Sequence, residues 1–341
     1  MPHRYPWASL PDRELLKLRI KDLKLSLKGT WLEDCVGDLH EELERREIRV
    51  RPHAWLSEEW FSSPETPGIA IPFYLAHPRL IRLERKKILD VEGGTRLECM
   101  RILRHETGHV LQHSYNLQRR RRWQKLFGRS STPYPDFYRP DPTSKKHVQH
   151  LRLWYGQAHP DEDFAETFAV WMGPRANWRK RYEGWPALEK LEYVDELMAE
   201  IGMEKPELTG RSVVEPASRD STTLASYYAT KQKRYITDPP TVYDRDLRRI
   251  FSDDPRHHRA PLATKFLRSH GARIRGTVAK WTGQYQLNID AVLDDMMIRC
   301  RDLNLRAAGQ ERQLVIDFTV LLTSKIVQSL YNQARRPWFA L

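Results

Sequence analysis

The chain has 341 residues, of which 40% are hydrophobic and 30% are charged, which is typical of a water-soluble globular protein with a substantial core. The length allows one large domain or two ordinary ones. The net charge of +12 concerns partners rather than fold, and it is compatible with nucleic acid, an acidic protein or an anionic surface.

The three cysteines, Cys35, Cys99 and Cys300, are too few and too far apart for a disulfide framework or a cysteine zinc site, which favours a reducing compartment. The N-terminus has no apolar run suited to a signal peptide. The longest apolar stretch, from Leu314, is interrupted by Asp317 and is too short to cross a bilayer, so it predicts a buried helix. We therefore expect a cytoplasmic protein with no membrane partner.

In chain order, residues 12–47 place leucines at helical spacing among many charges, which predicts helix. The apolar stretch 68–77 predicts a strand, and Pro72 within it favours the edge of a sheet because proline cannot donate to the ladder. Such an edge could pair with an extended peptide substrate, or it could be an ordinary strand edge.

The next helix, predicted over 95–115, contains the sequence HETGH. Positions four apart share a helical face, so His105 and His109 can bind one Zn²⁺. Glu106 can reach a water on the metal and accept its proton without being a ligand. We predict the two histidines as zinc ligands and Glu106 as the general base. The alternative is a helix with two solvated or core histidines.

Two further residues of this helix bear on the site. Gly108 costs about 1 kcal/mol relative to alanine in a helix, and its use would be to let a neighbouring segment come close. His113 lies one turn beyond His109, but three histidines along one straight helix cannot converge on one ion. We therefore expect His113 to lie beside the site or at the surface.

A catalytic zinc site needs a third protein ligand, which we expect from the segment WYGQAHPDEDFAETFAVWM. Glu162 and Glu166 are four apart and share a helical face, and the small residues Ala165 and Ala169 would let another helix approach. One carboxylate would bind the metal and the other would orient a histidine N–H. The alternative is an amphipathic helix with solvated glutamates.

HETGH followed by the YG…E-x-F-A-E-x-F pattern resembles the anthrax lethal-factor type of zinc metallopeptidase, and HPDEDFAETFAVW resembles a bacterial family of zinc-binding metallopeptidases. Both are similar to gluzincins. The resemblance covers residues 97–172 and implies Glu162 as the glutamate ligand, Tyr155 as the tyrosine that supports the oxyanion, and Glu166 as an acid behind a ligand. His159 and the two residues after it depart from the lethal-factor pattern, which leaves Glu166 as the alternative ligand.

The predicted fold is α+β and mainly helical. A zincin-like metallopeptidase domain with a small mixed sheet is expected over 1–207, a polar, proline-containing linker over 208–223, and a helical region over 224–341. The best-patterned helices of that last region are predicted at 290–306 and 310–334.

The sequence thus predicts a zinc-dependent metallopeptidase that hydrolyses peptide bonds in protein or peptide substrates through a zinc-activated water. Arg119–Arg122 form a basic run, and residues 245–280 contain ten Lys or Arg against three Asp. Such clusters can contact phosphates, so the competing hypothesis is a basic nucleic-acid-associated protein or scaffold with a structural or vestigial zinc site. An acidic protein substrate is the simpler use of the charge.

Overall fold

The computed structural model describes residues 5–135, 137–138, 141, 143–174, 177–235, 243–332 and 339–340. The α-helices are α1 Asp12–Leu15, α2 Trp31–Arg45, α3 Pro78–Ile88, α4 Arg96–Ser114, α5 Arg121–Phe127, α6 Pro160–Met172, α7 Trp178–Arg181, α8 Ala187–Ile201, α9 Leu224–Tyr235, α10 Asp244–Ile250, α11 Ala263–Thr282, α12 Gln286–Asp302 and α13 Glu311–Asn332. The strands are β1 His53–Ser57, β2 Phe61–Ser62, β3 Gly68–Pro72, β4 Phe137–Tyr138 and β5 Phe339–Ala340.

Helices dominate the described residues, and the three-stranded sheet is mixed, so the predicted mainly helical α+β class is confirmed. The chain forms two compact units that divide inside α9, between Tyr228 and Ala229. The first contains the described residues of 5–87 and 91–228, and the second contains 88–90 and those that follow Tyr228. That 1–207 forms a metallopeptidase domain by itself stays a prediction.

The segment 208–223, predicted as a linker, belongs to the first unit and lies along β1. The side chains of Trp55 and Ser57 donate to the carbonyl oxygens of Val214 and Glu215 at 2.8 and 2.7 Å. The amide of Ala217 donates to the carbonyl of Leu56 at 2.8 Å. Polar composition and prolines indicated an irregular backbone in this segment. They could not show that side chains of β1 would donate hydrogen bonds to the carbonyl groups of the segment.

The three-stranded sheet has the order β1-β3-β2, with β1 parallel and β2 antiparallel to β3. All five residues of β3 are buried. The prediction of an edge strand over 68–77 is therefore wrong. Pro72 is the last residue of β3, and β2 pairs only with Ile69 and Ala70, so the proline removes no hydrogen bond from that ladder.

Helices α4 and α6 begin at caps that their sequences provide. The Thr95 hydroxyl accepts from the amide of Glu98 at 3.2 Å, so Thr95 is the N-cap of α4. His159 caps α6, because its Nδ1 accepts from the amide of Asp161 at 3.2 Å, and Pro160 occupies the first position. Both helices are buried over most of their length, so they form the centre of the first unit.

The core of the second unit is formed by α10 to α13 and includes Phe266, Leu293, Met296 and Phe318. The apolar stretch from Leu314 lies in α13 with one face in this core, but Ile316 and Val320 are exposed, so the predicted buried helix is buried on one side only. None of the described helices is both long enough and apolar enough to span a membrane.

Candidate metal centre

Three side chains meet between α4 and α6. The Oε2 atom of Glu162 lies 3.0 Å from Nε2 of His105 and 3.2 Å from Nε2 of His109, and the two Nε2 atoms are 3.2 Å apart. Zinc bonds of about 2.0–2.1 Å in a tetrahedral arrangement place neighbouring donor atoms about 3.3 Å apart. The triangle therefore has the size and the donor chemistry that fit one Zn²⁺ with an open fourth position. Of the described residues, only these three form such a group, and His113 does not join it.

The close packing of α4 on α6 makes this meeting possible. Gly108 faces Ala165, and a Cβ added at Gly108 would lie 2.7 Å from the Ala165 Cα atom. Real Cβ atoms essentially never approach another atom so closely, so glycine is required for this helix spacing. Since Glu162 lies one turn before Ala165 on α6, the same approach brings its carboxylate to the histidines.

Glu166 lies on the other side of the His105 ring. Its Oε1 atom is 3.0 Å from Nδ1 of His105, and its Oε2 atom accepts from the amides of Leu151 and His150 at 2.8 and 3.3 Å. A carboxylate held by two amides acts as an acceptor, so the His105 proton belongs on Nδ1. This leaves the Nε2 lone pair directed at Glu162 and His109, which is the tautomer that a metal ligand needs.

The buried carboxylates of Glu162 and Glu166 stabilise a positive charge at this site. Burial opposes the charged imidazole of His105, but hydrogen bonds to Glu162 and Glu166 outweigh it and raise the pKa of His105 well above its ordinary value. Burial alone would raise the pKa of Glu162, yet the two histidines lower it. The buried carboxylates thus favour a cation at the point where the three side chains meet.

Glu106 points towards β2 from the same turn of α4. Its side chain is buried, and this burial raises the pKa of the Glu106 carboxyl, while His105, His109 and a hydrogen bond to Ser62 act in the opposite direction. A carboxylate with a raised pKa is a better proton acceptor near neutral pH. The predicted general base therefore lies beside the two histidines in an environment suited to that role.

Tyr155 lies in a 3₁₀ turn, Arg152–Gln157, that packs on α6. Its ring centroid is 5.6 Å from that of His105. Burial raises the pKa of the Tyr155 phenol, so the hydroxyl remains a proton donor. The preceding residue, Trp154, has a φ of 54°, which costs energy for a non-glycine residue and occurs where surrounding packing enforces it.

Tyr134 is a site residue that sequence reasoning missed. Its hydroxyl donates to Oε1 of Glu162 at 3.1 Å, and its ring stacks on His159 with the centroids 3.7 Å apart. Because Nδ1 of His159 accepts from the backbone, its Nε2 donates to the carbonyl of Thr132 at 2.7 Å. The proline-rich stretch around Tyr134 carries no periodicity, so the sequence contains no signal for this contact. The departure at His159 from the lethal-factor pattern thus coincides with a local support for Glu162.

A family model described as "Putative zinc-binding metallo-peptidase" matches residues 98–177. No curated protein and no solved structure gave a significant match to the chain. The matched segment contains α4 from Glu98 onwards and all of α6, and therefore every side chain that meets at the centre. Over this part of its length, the chain is similar to a family of zinc-binding metallopeptidases.

Proposed function

We propose that the protein is a zinc-dependent metallopeptidase that hydrolyses peptide bonds in protein or peptide substrates. The observation that carries the proposal is the meeting of His105, His109 and Glu162 within 3.2 Å, beside the buried carboxylate of Glu106. Structural zinc sites have four protein ligands, whereas catalytic sites have three and an open position. The donor set therefore favours catalysis over the alternative of a structural zinc in a scaffold.

The residues have distinct roles in the proposed reaction. Zn²⁺ held by His105, His109 and Glu162 would lower the pKa of a water molecule and polarise the scissile carbonyl. Glu106 accepts the proton of the attacking water and passes it to the leaving amine. Tyr155, which remains protonated, donates to the developing oxyanion, and losing one such donor typically costs about two to three orders of magnitude in rate.

Glu166 and Tyr134 support the ligands rather than the reacting atoms. Glu166 keeps the proton of His105 on Nδ1, so that Nε2 offers a lone pair. Tyr134 occupies Oε1 of Glu162 and leaves Oε2 facing the histidines. Partners of this kind typically change metal affinity or activity by about 10- to 100-fold when removed.

A substrate strand would pair at the outer edge of β2 rather than at β3, because β3 lies between β1 and β2 in the described sheet. Ser62 of β2 lies close enough to Glu106 to lower the pKa of its carboxyl, so a peptide along this edge passes the proposed base. The net charge of +12 would favour an acidic peptide. We also propose a cytoplasmic location, since the three cysteines are all free.

The test uses the zinc-loaded full chain, the Glu106→Gln variant and a peptide library derived from a proteome. The wild type should cleave a reproducible set of peptides. Glu106→Gln should keep one equivalent of zinc and lose at least about a hundredfold in rate, because it cannot take a proton. Glu98→Gln, which changes a more exposed glutamate of the same helix, serves as the matched control. If the zinc-loaded wild type cleaved no peptide, the result would contradict the proposal and favour a structural zinc site.

Metal content distinguishes the two glutamates of α6. Glu162→Gln should lower zinc occupancy much more than Glu166→Gln, because only Glu162 faces both Nε2 atoms. Equal occupancy in the two variants would remove the assignment of Glu162 as the third ligand. His105→Ala should empty the site in either case.

A further inference from the structure

The part of the chain that follows Tyr228 carries most of the net positive charge. Residues 229–340 contain 20 Lys or Arg against 11 Asp or Glu, a net charge of +9 out of +12. The side chains that converge at the metal centre all belong to the first unit. A surface with this charge is suited to a partner with negative charge.

One helix of this unit concentrates exposed cations on a single surface. Lys265, Arg268, Arg273 and Lys280 of α11 are all exposed. In the part of the chain that the structure describes, none of these four forms an ion pair with a carboxylate, although Asp294 of α12 lies near Arg268. By contrast, most other arginines on the helices of this unit are paired. We call the surface formed by the four cations and the residues between them the α11 basic face.

A strip of small residues runs between the cations. At 100° per residue, Ser269, Ala272 and Gly276 lie along the middle of the exposed side. Arg268 lies towards one flank, Arg273 and Lys280 lie towards the other, and Lys265 continues the line of the strip at its N-terminal end. A Cβ added at Gly276 would meet no described atom within 4 Å. Glycine costs about 1 kcal/mol relative to alanine inside a helix, and no neighbour within the described chain requires it here. A close approach from outside the chain would give this glycine a use.

We propose that the α11 basic face binds double-stranded DNA, with the small-residue strip in the major groove and the four cations on phosphates around it. An α-helix of about 10–12 Å diameter fits the major groove, which is about 12 Å wide. The major groove of duplex RNA is too narrow and deep for side chains to read. Single-stranded nucleic acid needs successive aromatic platforms, whereas the strip has none and Trp281 is a single exposed ring at the helix end.

The test measures binding of the full chain to a fluorescein-labelled duplex of 20 base pairs by fluorescence anisotropy at several salt concentrations. Four phosphate contacts predict that log K falls with log salt with a slope of about −3.6. Arg273→Gln combined with Lys280→Gln should make this slope shallower by about two. At 0.1 M salt the same variant should bind on the order of 50-fold more weakly.

Two further variants separate the helix face from general charge. Arg248→Gln with Arg256→Gln removes the same net charge from side chains that pair with Asp253 and Asp254, and it should change affinity less than about threefold. Gly276→Glu keeps all four cations and enters open space, so it should fold and lose at least about tenfold in affinity.

Several results would overturn the proposal. These are an equal loss in the Arg248 and Arg256 control, wild-type affinity in Gly276→Glu, equally tight binding of single-stranded DNA or duplex RNA, and no binding at 50 mM salt. None of these outcomes depends on whether the first unit hydrolyses peptides.

Discussion

Replacing Gly108 by alanine tests how closely α4 and α6 must pack to form the metal centre. The added Cβ would lie 2.7 Å from Cα and 3.2 Å from Cβ of Ala165, whereas ordinary contacts begin at 3.4 Å. The helices must therefore separate by about 0.7 Å at this point, at an overpacking cost of about 1–3 kcal/mol. The higher helix propensity of alanine offsets about 1 kcal/mol of this cost. We expect the free energy of unfolding of the metal-free protein to fall by up to about 2 kcal/mol.

The Gly108→Ala variant should also bind zinc more weakly than the wild type. Glu162 lies one turn from Ala165, so the separation would increase its present distances of 3.0 and 3.2 Å to the histidine nitrogens. We expect zinc affinity to fall at least about tenfold, as measured by competition with a chelator, beside urea unfolding of the metal-free protein.

Gly37→Ala is the matched control for this change. Gly37 lies in α2, and a Cβ there would meet no described atom within 4 Å. This variant should gain up to about 1 kcal/mol and bind zinc like the wild type. If Gly108→Ala were stabilised to the same extent and kept its zinc affinity, the argument from helix spacing would be refuted.

Two other predictions concern single groups. Tyr134→Phe removes the donor to Oε1 of Glu162, so zinc should bind about 10- to 100-fold more weakly, as measured by chelator competition. Tyr115→Phe is the control, because the Tyr115 hydroxyl contacts the carbonyl of Glu204, and it should bind zinc like the wild type. Equal zinc affinities in the two variants would contradict the role of Tyr134. Burial and the neighbouring Asp220 raise the pKa of Glu58 to about 7, so the folded chain holds this proton where an unfolded one, with a pKa of about 4.3, has released it. The stability that this proton contributes is present at low pH and is lost as the pH rises to about 7. From pH 5 to pH 8, the free energy of unfolding of Glu58→Gln should therefore rise by on the order of 1 kcal/mol relative to that of the wild type. This value is reduced because the side chain is half-exposed. If urea denaturation gave the same difference between variant and wild type at the two pH values, the prediction would be wrong.

Local sequence signals predicted the two central helices well. Thr95 with Glu98 marks the start of α4, and Gly173 follows the last residue of α6. The spacing of His105 and His109 also follows from helix periodicity alone. These features are predictable because caps and i,i+4 neighbours depend only on residues within a few positions along one chain segment.

The sheet shows where local reasoning fails. Pro72 led to the wrong prediction of an edge strand, because the sequence could not show that β2 ends before reaching it. The segment 208–223 likewise has the composition of a linker, and only its hydrogen bonds to β1 place it in the first unit. The neighbours of a strand are set by contacts between segments that are distant in sequence. Amino-acid composition carries no information on such contacts.

What the sequence determined by itself is the chemistry on each helix: two imidazoles one turn apart beside Glu106, and two carboxylates one turn apart on α6. The tertiary structure decided that Glu162 faces both Nε2 atoms, that Glu166 faces the back of His105, and that Tyr134 holds the remaining oxygen of Glu162. Both glutamates lie on the same helical face, so periodicity treats them alike. Only the rotation and the close approach of α6 on α4, which Gly108 permits, distinguish them.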